Sequence, residues 1–226
     1  MTLEHRFRVL AGHGGRNAAI DGTLVLEDTG RAAQRRDSNM QIHQTDLPDV
    51  LVLEPKVFED HRGFFLESYH AQRMRDAGIP GSFVQDNLTC SKKGVLRGLH
   101  HQLRFPQGKL VTVVHGEVFD VVADIRRGSP TFGTWVGVSL SDRNRRQIYA
   151  PPGFVHGFCV VSDIAYVAYN CTDYYHPEDE FGIAWDDRDL AIDWPVEQPD
   201  LSEKDRQLVS LRETAPDELP IFAAPS

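Results

Sequence analysis

The chain has 226 residues, enough for one domain of the larger β kind and marginal for two; 41% of them are hydrophobic and 25% charged, as in an ordinary globular protein, and the formal net charge is −9. The acidic balance argues against a nucleic-acid partner, which needs a dense basic surface, but a few converging Arg and Lys can still make one pocket positive. No run of apolar residues is long enough to span a membrane, the first 30 residues lack the apolar core expected of a secretion signal, and Cys90, Cys159 and Cys171, an odd count without paired spacing, suggest a reducing cytoplasm.

Residues 1–39 are rich in Gly, Ala and Arg, with one apolar patch at Leu24-Val25-Leu26. They read as a poorly ordered extension, or as a mis-assigned start preceding Met40. From Met40 to about Trp194 short strands alternate with turn signals. The pattern predicts strands over 50–57, 63–69, 82–88, 94–102, 109–115, 117–125, 132–140, 146–150, 154–161 and 164–172. Helices are expected near 70–77 and from an N-cap at Ser202 to about Glu213. Many evenly spaced strands with few helices predict an all-β fold, a jelly-roll β-sandwich, with 40–226 as a single domain.

Five segments carry candidate chemistry. In Val95–Gln102 strict alternation puts Arg97, Leu99 and His101 on one face and Gly98, His100 and Gln102 on the other, unless Gly98 permits a bulge. Lys109 opens an apolar strand. His156 follows the turn Pro151-Pro152-Gly153. Tyr169, Tyr174 and Tyr175 cluster at a strand end. Ser202-x-x-Asp205 has the form of a capping box. Each has an ordinary explanation: a strand histidine, a surface lysine, core aromatics (Tyr174 above all), a helix cap. Asp124, Asp186 and Asp187 read as turn or strand-end residues.

Taken together, RGLHHQ, QGKL, GEVFDVVADIR, SPTFGTWVGVSL, PPGFVHGF, YNCTDYY, GIAWDD and LSEKD, with DHRGFFLESY and FVQDN upstream, stand in one order along roughly 40–210. In that order and spacing the chain resembles the dTDP-4-dehydrorhamnose 3,5-epimerase family. The resemblance implies a cupin-like jelly roll, a homodimer with shared active sites, no cofactor and no metal. It implies inversion of a dTDP-4-keto-6-deoxy sugar at C3 and C5 through an enolate. By position His100 resembles the catalytic base, Asp205 the carboxylate that orients it, Tyr169 the acid on the opposite sugar face, and Lys109 the residue near the enolate. Arg62, Glu67, Gln85, Asp86, Asn87, Arg97, His156, Glu180 and Lys204 match ligand-contacting positions, and Tyr175 matches the residue stacked on thymine. His101 is taken as structural. Two departures bear on the sugar accepted: a loop between His100 and Lys109 one residue short, and Thr89 where the family has Ser.

Three rival readings share parts of this pattern. A metal-dependent cupin needs two histidines two apart on a strand, and His100 and His101 are adjacent. A binding module without catalysis would not need a base and an acid together. A single epimerase acting at C3 or C5 alone shares the same motifs.

Overall fold

A computed structural model describes residues 39–79 and 82–223; the expectation of a disordered extension falls on residues outside this range, Asn39 excepted. The strands are β1 Met40–Gln44, β2 Leu51–Pro55, β3 Val57–Asp60, β4 Gly63–Leu66, β5 Gln85–Lys92, β6 Leu96–Gln102, β7 Lys109–His115, β8 Glu117–Asp124, β9 Trp135–Ser141, β10 Gln147–Ala150, β11 Phe154–Val160, β12 Ile164–Cys171 and β13 Glu180–Gly182. Two α-helices accompany them, α1 Ala71–Asp76 and α2 Glu203–Arg206. A six-stranded sheet runs β1-β2-β10-β7-β12-β5, and a five-stranded sheet runs β13-β6-β11-β8-β9. The two face each other as the expected β-sandwich, and β3 and β4 form a separate hairpin. No described helix is long and apolar enough to cross a membrane.

Period-two patterning explains the layers. In β8 Val118 and Val122 enter the core between the sheets, while Val121 and Ala123 pack on the opposite face. A strand apolar on both faces needs cover on both. The outer face of the five-stranded sheet is covered by the segment after β13, through Ile183, Leu190, Trp194, Leu211 and Leu219. The outer face of the six-stranded sheet is covered by Met74 and Ile79 of the α1 region. The first of these coverings matters for function, because it carries α2 back across the sandwich to β6.

The structure corrects several sequence expectations. The second helix is four residues long and ends at Arg206 rather than near Glu213. Beyond it the backbone donors find other partners: the amide of Leu211 donates to the Asp187 carboxylate at 2.8 Å, and that of Ser210 to the Glu213 carboxylate at 3.2 Å. The strand expected over 50–57 breaks at Lys56, and the one expected over 82–88 is displaced to 85–92. Strands β1 and β13 were not anticipated; both are short and hydrogen-bonded to a neighbour only along one edge.

Leu190, part of this C-terminal covering, is 1% exposed. Leu190→Ala is expected to cost about 2–5 kcal/mol of stability. A urea midpoint unchanged from the parent would show that the covering is not part of the cooperative core.

Candidate active site

At one end of the sandwich the core gives way to a cavity of about 410 Å³. The changeover occurs within single strands. On β7 Val111 and Val113 lie in the apolar core, and Lys109 two residues earlier opens into the cavity. On β12 Ala165 and Val167 are core residues and Tyr169 lines the cavity. Gln85 and Asn87 of β5 and His156 and Phe158 of β11 line it from both sheets.

Strand β6 departs from strict alternation. His156 of β11 sits opposite His100, but Phe158, two residues on, sits opposite Arg97, three residues back. One extra residue on β6 is taken up at Gly98-Leu99, where φ of Gly98 is +120° and the peptide is cis. A side chain at Gly98 would meet the Gly157 backbone at 2.6 Å, so only glycine allows the two strands to close there. The bulge brings Arg97 and His100 into the same cavity, against the expected opposition of faces, and sends Leu96 and Leu99 together into the outer core.

His100 Nε2 lies 2.6 Å from Asp205 Oδ1. The capping expectation is half met: the Ser202 hydroxyl accepts from the Asp205 amide at 3.1 Å, while the Asp205 carboxylate is turned to the imidazole. Burial opposes the Asp205 charge, but the bond and charge of His100, the Ser202 contact and Lys204 outweigh it and hold the carboxyl below its usual range. On the other side of the ring, Nδ1 lies 3.6 Å from Glu180 Oε1. Glu180 accepts from Tyr175 Oη at 2.5 Å and from the Lys204 ammonium. Burial works against its charge too, yet these donors and His100 keep the carboxyl low.

The Lys109 ammonium makes no hydrogen bond or ion pair among the described residues; burial pushes its pKa down, against the pull of Cys171, Glu180 and Asp120. The Tyr169 hydroxyl is likewise without a hydrogen bond among the described residues, and burial pushes its pKa up. His156 Nε2 is 3.0 Å from both oxygens of the fully buried Asp120, whose pKa burial raises in spite of His156 and Lys109. Asp120 was missed in the sequence. Its signal was a carboxylate between Val118 and Val122 on the core-facing side of a strand, where an unpaired charge would be costly. Gln102 joins the cavity's flanking loops, donating to the carbonyls of Phe105 and Tyr174 and accepting from the His176 amide.

Of the residues expected from the sequence, His100, Lys109, Tyr169, Asp205, Gln85, Asn87, Arg97, His156, Tyr175, Glu180 and Lys204 line this one cavity. Asp86 does not, because alternation on β5 turns it outward, where it accepts from Asn170; the expectation of three consecutive contacts in FVQDN becomes two. Arg62 and Glu67 also lie elsewhere. Arg62, in the β3–β4 turn, pairs with Asp60, and Glu67 pairs with Arg73 at 2.7 Å. Tyr174, expected in the core, is 60% exposed. Asp124 organises a turn, holding Arg126, Ser129 and Thr131. Among the described residues no group of three or more His, Cys, Asp or Glu is placed to hold a metal ion.

The fold and the cavity define a jelly-roll protein whose pocket holds two imidazole–carboxylate pairs beside a lysine and a tyrosine. The sequence profile of the dTDP-4-dehydrorhamnose 3,5-epimerase family matches residues 44–213. A dTDP-4-dehydrorhamnose 3,5-epimerase of Shigella flexneri is 55% identical over 168 residues, 74% of this chain and 93% of that protein. The crystal structure of dTDP-6-deoxy-D-glucose-3,5-epimerase from Legionella pneumophila Philadelphia 1, in complex with dTDP-4-keto-L-rhamnose, is 54% identical. It covers 82% of this chain and 100% of its own, with a TM-score of 0.80. A dTDP-4-dehydrorhamnose 3-epimerase of Streptomyces niveus is 43% identical over 176 residues, 77% of this chain and 85% of that one. The chain belongs to the dTDP-4-dehydrorhamnose 3,5-epimerase family.

His101, beside the catalytic candidate, has a different part. It is 4% exposed, with Nε2 at 3.0 Å from the Glu218 carbonyl, and burial lowers its pKa to about 4. A histidine buried neutral loses stability for the fold once the unfolded chain, but not the folded one, takes up a proton. Stability is therefore expected to fall as pH drops from about 6.5 towards about 4, by at most about 3 kcal/mol from this residue. Urea unfolding of the parent and of His101→Gln at pH 7 and pH 4.5 checks this; an equal loss in both would remove His101 as a cause.

Proposed function

We propose that the chain inverts dTDP-4-dehydro-6-deoxy-D-glucose at C3 and C5 to give dTDP-4-dehydro-L-rhamnose, a step of dTDP-L-rhamnose biosynthesis. The observation that carries this reading is a single cavity shared by the His100–Asp205 pair, Tyr169 and Lys109.

The C4 ketone of such a sugar acidifies the C–H bonds at both neighbouring carbons. Asp205, an ionised acceptor, keeps the proton of neutral His100 on Nε2, which leaves Nδ1 free as the base. When Nδ1 takes the proton, the C–H electron pair moves into an enolate, and Asp205 stabilises the imidazolium. Lys109 faces the enolate oxygen. An ammonium that holds its proton less tightly because it is buried is a better donor to that oxygen. Tyr169, its hydroxyl uncommitted, returns a proton from the opposite face, and solvent exchange resets base and acid. Asp120 fixes the tautomer of His156 in the same way, keeping its proton on Nε2 and leaving Nδ1 as an acceptor. Arg97, with Nε held by Ser91 at 3.1 Å, keeps its terminal nitrogens for the diphosphate. Tyr175, 46% exposed, offers a flat face to the base of the nucleotide.

The same reading assigns Arg62 and Glu67 to the partner's site in a homodimer. The β3–β4 hairpin, with Phe58, Phe64 and Phe65 between 47% and 69% exposed, has the apolar surface of a segment that docks on a second copy. The three cysteines, all free, suit action in the cytoplasm.

Incubation with dTDP-4-keto-6-deoxyglucose in D₂O, followed by NMR, tests the assignment. Deuterium is expected at both C3 and C5; label at one centre alone would make the chain a single epimerase like its Streptomyces niveus relative. His100→Asn is expected to abolish uptake at both positions, and Tyr169→Phe to spare some exchange while spoiling inversion. Lys109→Met is expected to lower kcat by about 10²–10³. Mixed dimers of Arg62→Ala and His100→Ala chains should regain activity; no recovery would count against shared sites.

A further inference from the structure

The imidazole of His100 stands between two carboxylates, and only one of them binds it. Asp205 is bonded to Nε2 at 2.6 Å, whereas Glu180 Oε1 stops 3.6 Å from Nδ1, outside hydrogen-bond range. The other oxygen of Glu180 is held by two donors, Tyr175 Oη and the Lys204 ammonium. The strand that carries Glu180 is pinned as well: β13 pairs with β6, Glu180 opposite Gln102 and Gly182 opposite His100. Glu180 is thus kept at a set distance by three attachments, none of them to the ring it faces.

We infer that Glu180 is a positioning residue for His100: Tyr175 and Lys204 hold its charge near enough to favour a proton arriving on Nδ1, and far enough not to cap that nitrogen. This deepens the proposed reaction and rests on His100 as its base. A carboxylate bonded directly to Nδ1 would occupy the nitrogen that must meet the C–H bond. A carboxylate absent altogether would leave the arriving proton with Asp205 alone. Lys204 also sets the strength of the effect, since its charge offsets part of the field of Glu180 at the ring.

Other charged and titratable groups surround the ring. Lys204 and Asp205 come from α2, Lys109 and Tyr169 from the six-stranded sheet, Arg97 from β6 itself, and His156 with its Asp120 partner from β11 and β8. Substitution of Glu180 or Lys204 leaves all the others in place, so opposite responses to these two identify the pair as the source.

The test is the titration of the His100 ring by ¹H–¹³C NMR in the protein without substrate, its signal assigned by its loss in His100→Asn. Removing a negative charge near the ring disfavours the imidazolium, so Glu180→Gln is expected to move the midpoint down by about one pH unit. Removing the offsetting cation does the reverse, so Lys204→Met is expected to move it up by a similar amount. Tyr175→Phe, which cuts one tether and lets Glu180 close on Nδ1, is expected to move it up as well. The acid limb of kcat/KM, which reports the free enzyme, should follow in the same directions. Midpoints that stay with the parent, or that move the same way in Glu180→Gln and Lys204→Met, would overturn the inference, even if both variants raise KM. Should Glu180→Gln fail to fold, Tyr175→Phe decides, because it frees Glu180 without changing any charge: a midpoint that does not rise overturns the inference. Because the titration needs no substrate, it stands apart from whether the parent chain turns over the sugar.

Discussion

The bond between His100 and Asp205 joins residues 105 apart in the chain, and much of the architecture serves to make it. An imidazole on a central strand has no fixed tautomer of its own, and a carboxylate on a four-residue helix has no rigidity of its own. What fixes both is the apolar cover that the C-terminal segment lays over the five-stranded sheet. Ile183, Leu190, Trp194 and Leu211 bury against Leu96, Leu99 and Val121, and hydrophobic burial of this kind supplies most of the favourable free energy of folding. The two polar groups are thereby held in register by residues that do no chemistry.

The cavity follows from one economy of design: the strands that build the core also build the site. Along β7 and β12 the inward positions are apolar at one end and polar at the other, and on β8 Asp120 sits between two core valines, so Lys109, Tyr169 and Asp120 inherit the rigidity of the packed valines beside them. Groups that must be buried yet polar are then supported in pairs. His156 rests on Asp120, His100 on Asp205, and Glu180 on Tyr175 and Lys204. The Lys109 ammonium and the Tyr169 hydroxyl have no side-chain partner among the described residues, and both are held away from their ordinary protonation behaviour by burial. Polar groups left open in an enclosed site are the ones free to engage a bound molecule.

Charge is arranged on the same scale. The protein is acidic overall, with a net charge of −9, yet Arg97, Lys109 and Lys204 converge on one pocket. Positive charge is thus supplied to the pocket by local geometry rather than by bulk charge, and the carboxylates within the pocket are each tied to an imidazole or an ammonium rather than left to repel an anion.

Strand content and the sandwich were legible in the sequence because they depend on local pattern: alternation in EVFDVVADI, turn residues at regular spacing, and few helical stretches. The positions of His100, Lys109, Tyr169 and Asp205 were legible too, through the order of their motifs. Other features were decided only in three dimensions. Whether Asp205 caps its helix or reaches His100 depends on how the C-terminal segment packs, and no local signal encodes that. The shared face of Arg97 and His100 depends on a bulge that becomes necessary only where Gly98 meets Gly157 of the neighbouring strand. The pairing of Asp120 with His156, the outward turn of Asp86 and the early end of the last helix are of the same kind. Period and propensity act between neighbours in the chain, whereas a buried charge is satisfied by whichever group the fold brings within bonding distance, and that group can lie a hundred residues away.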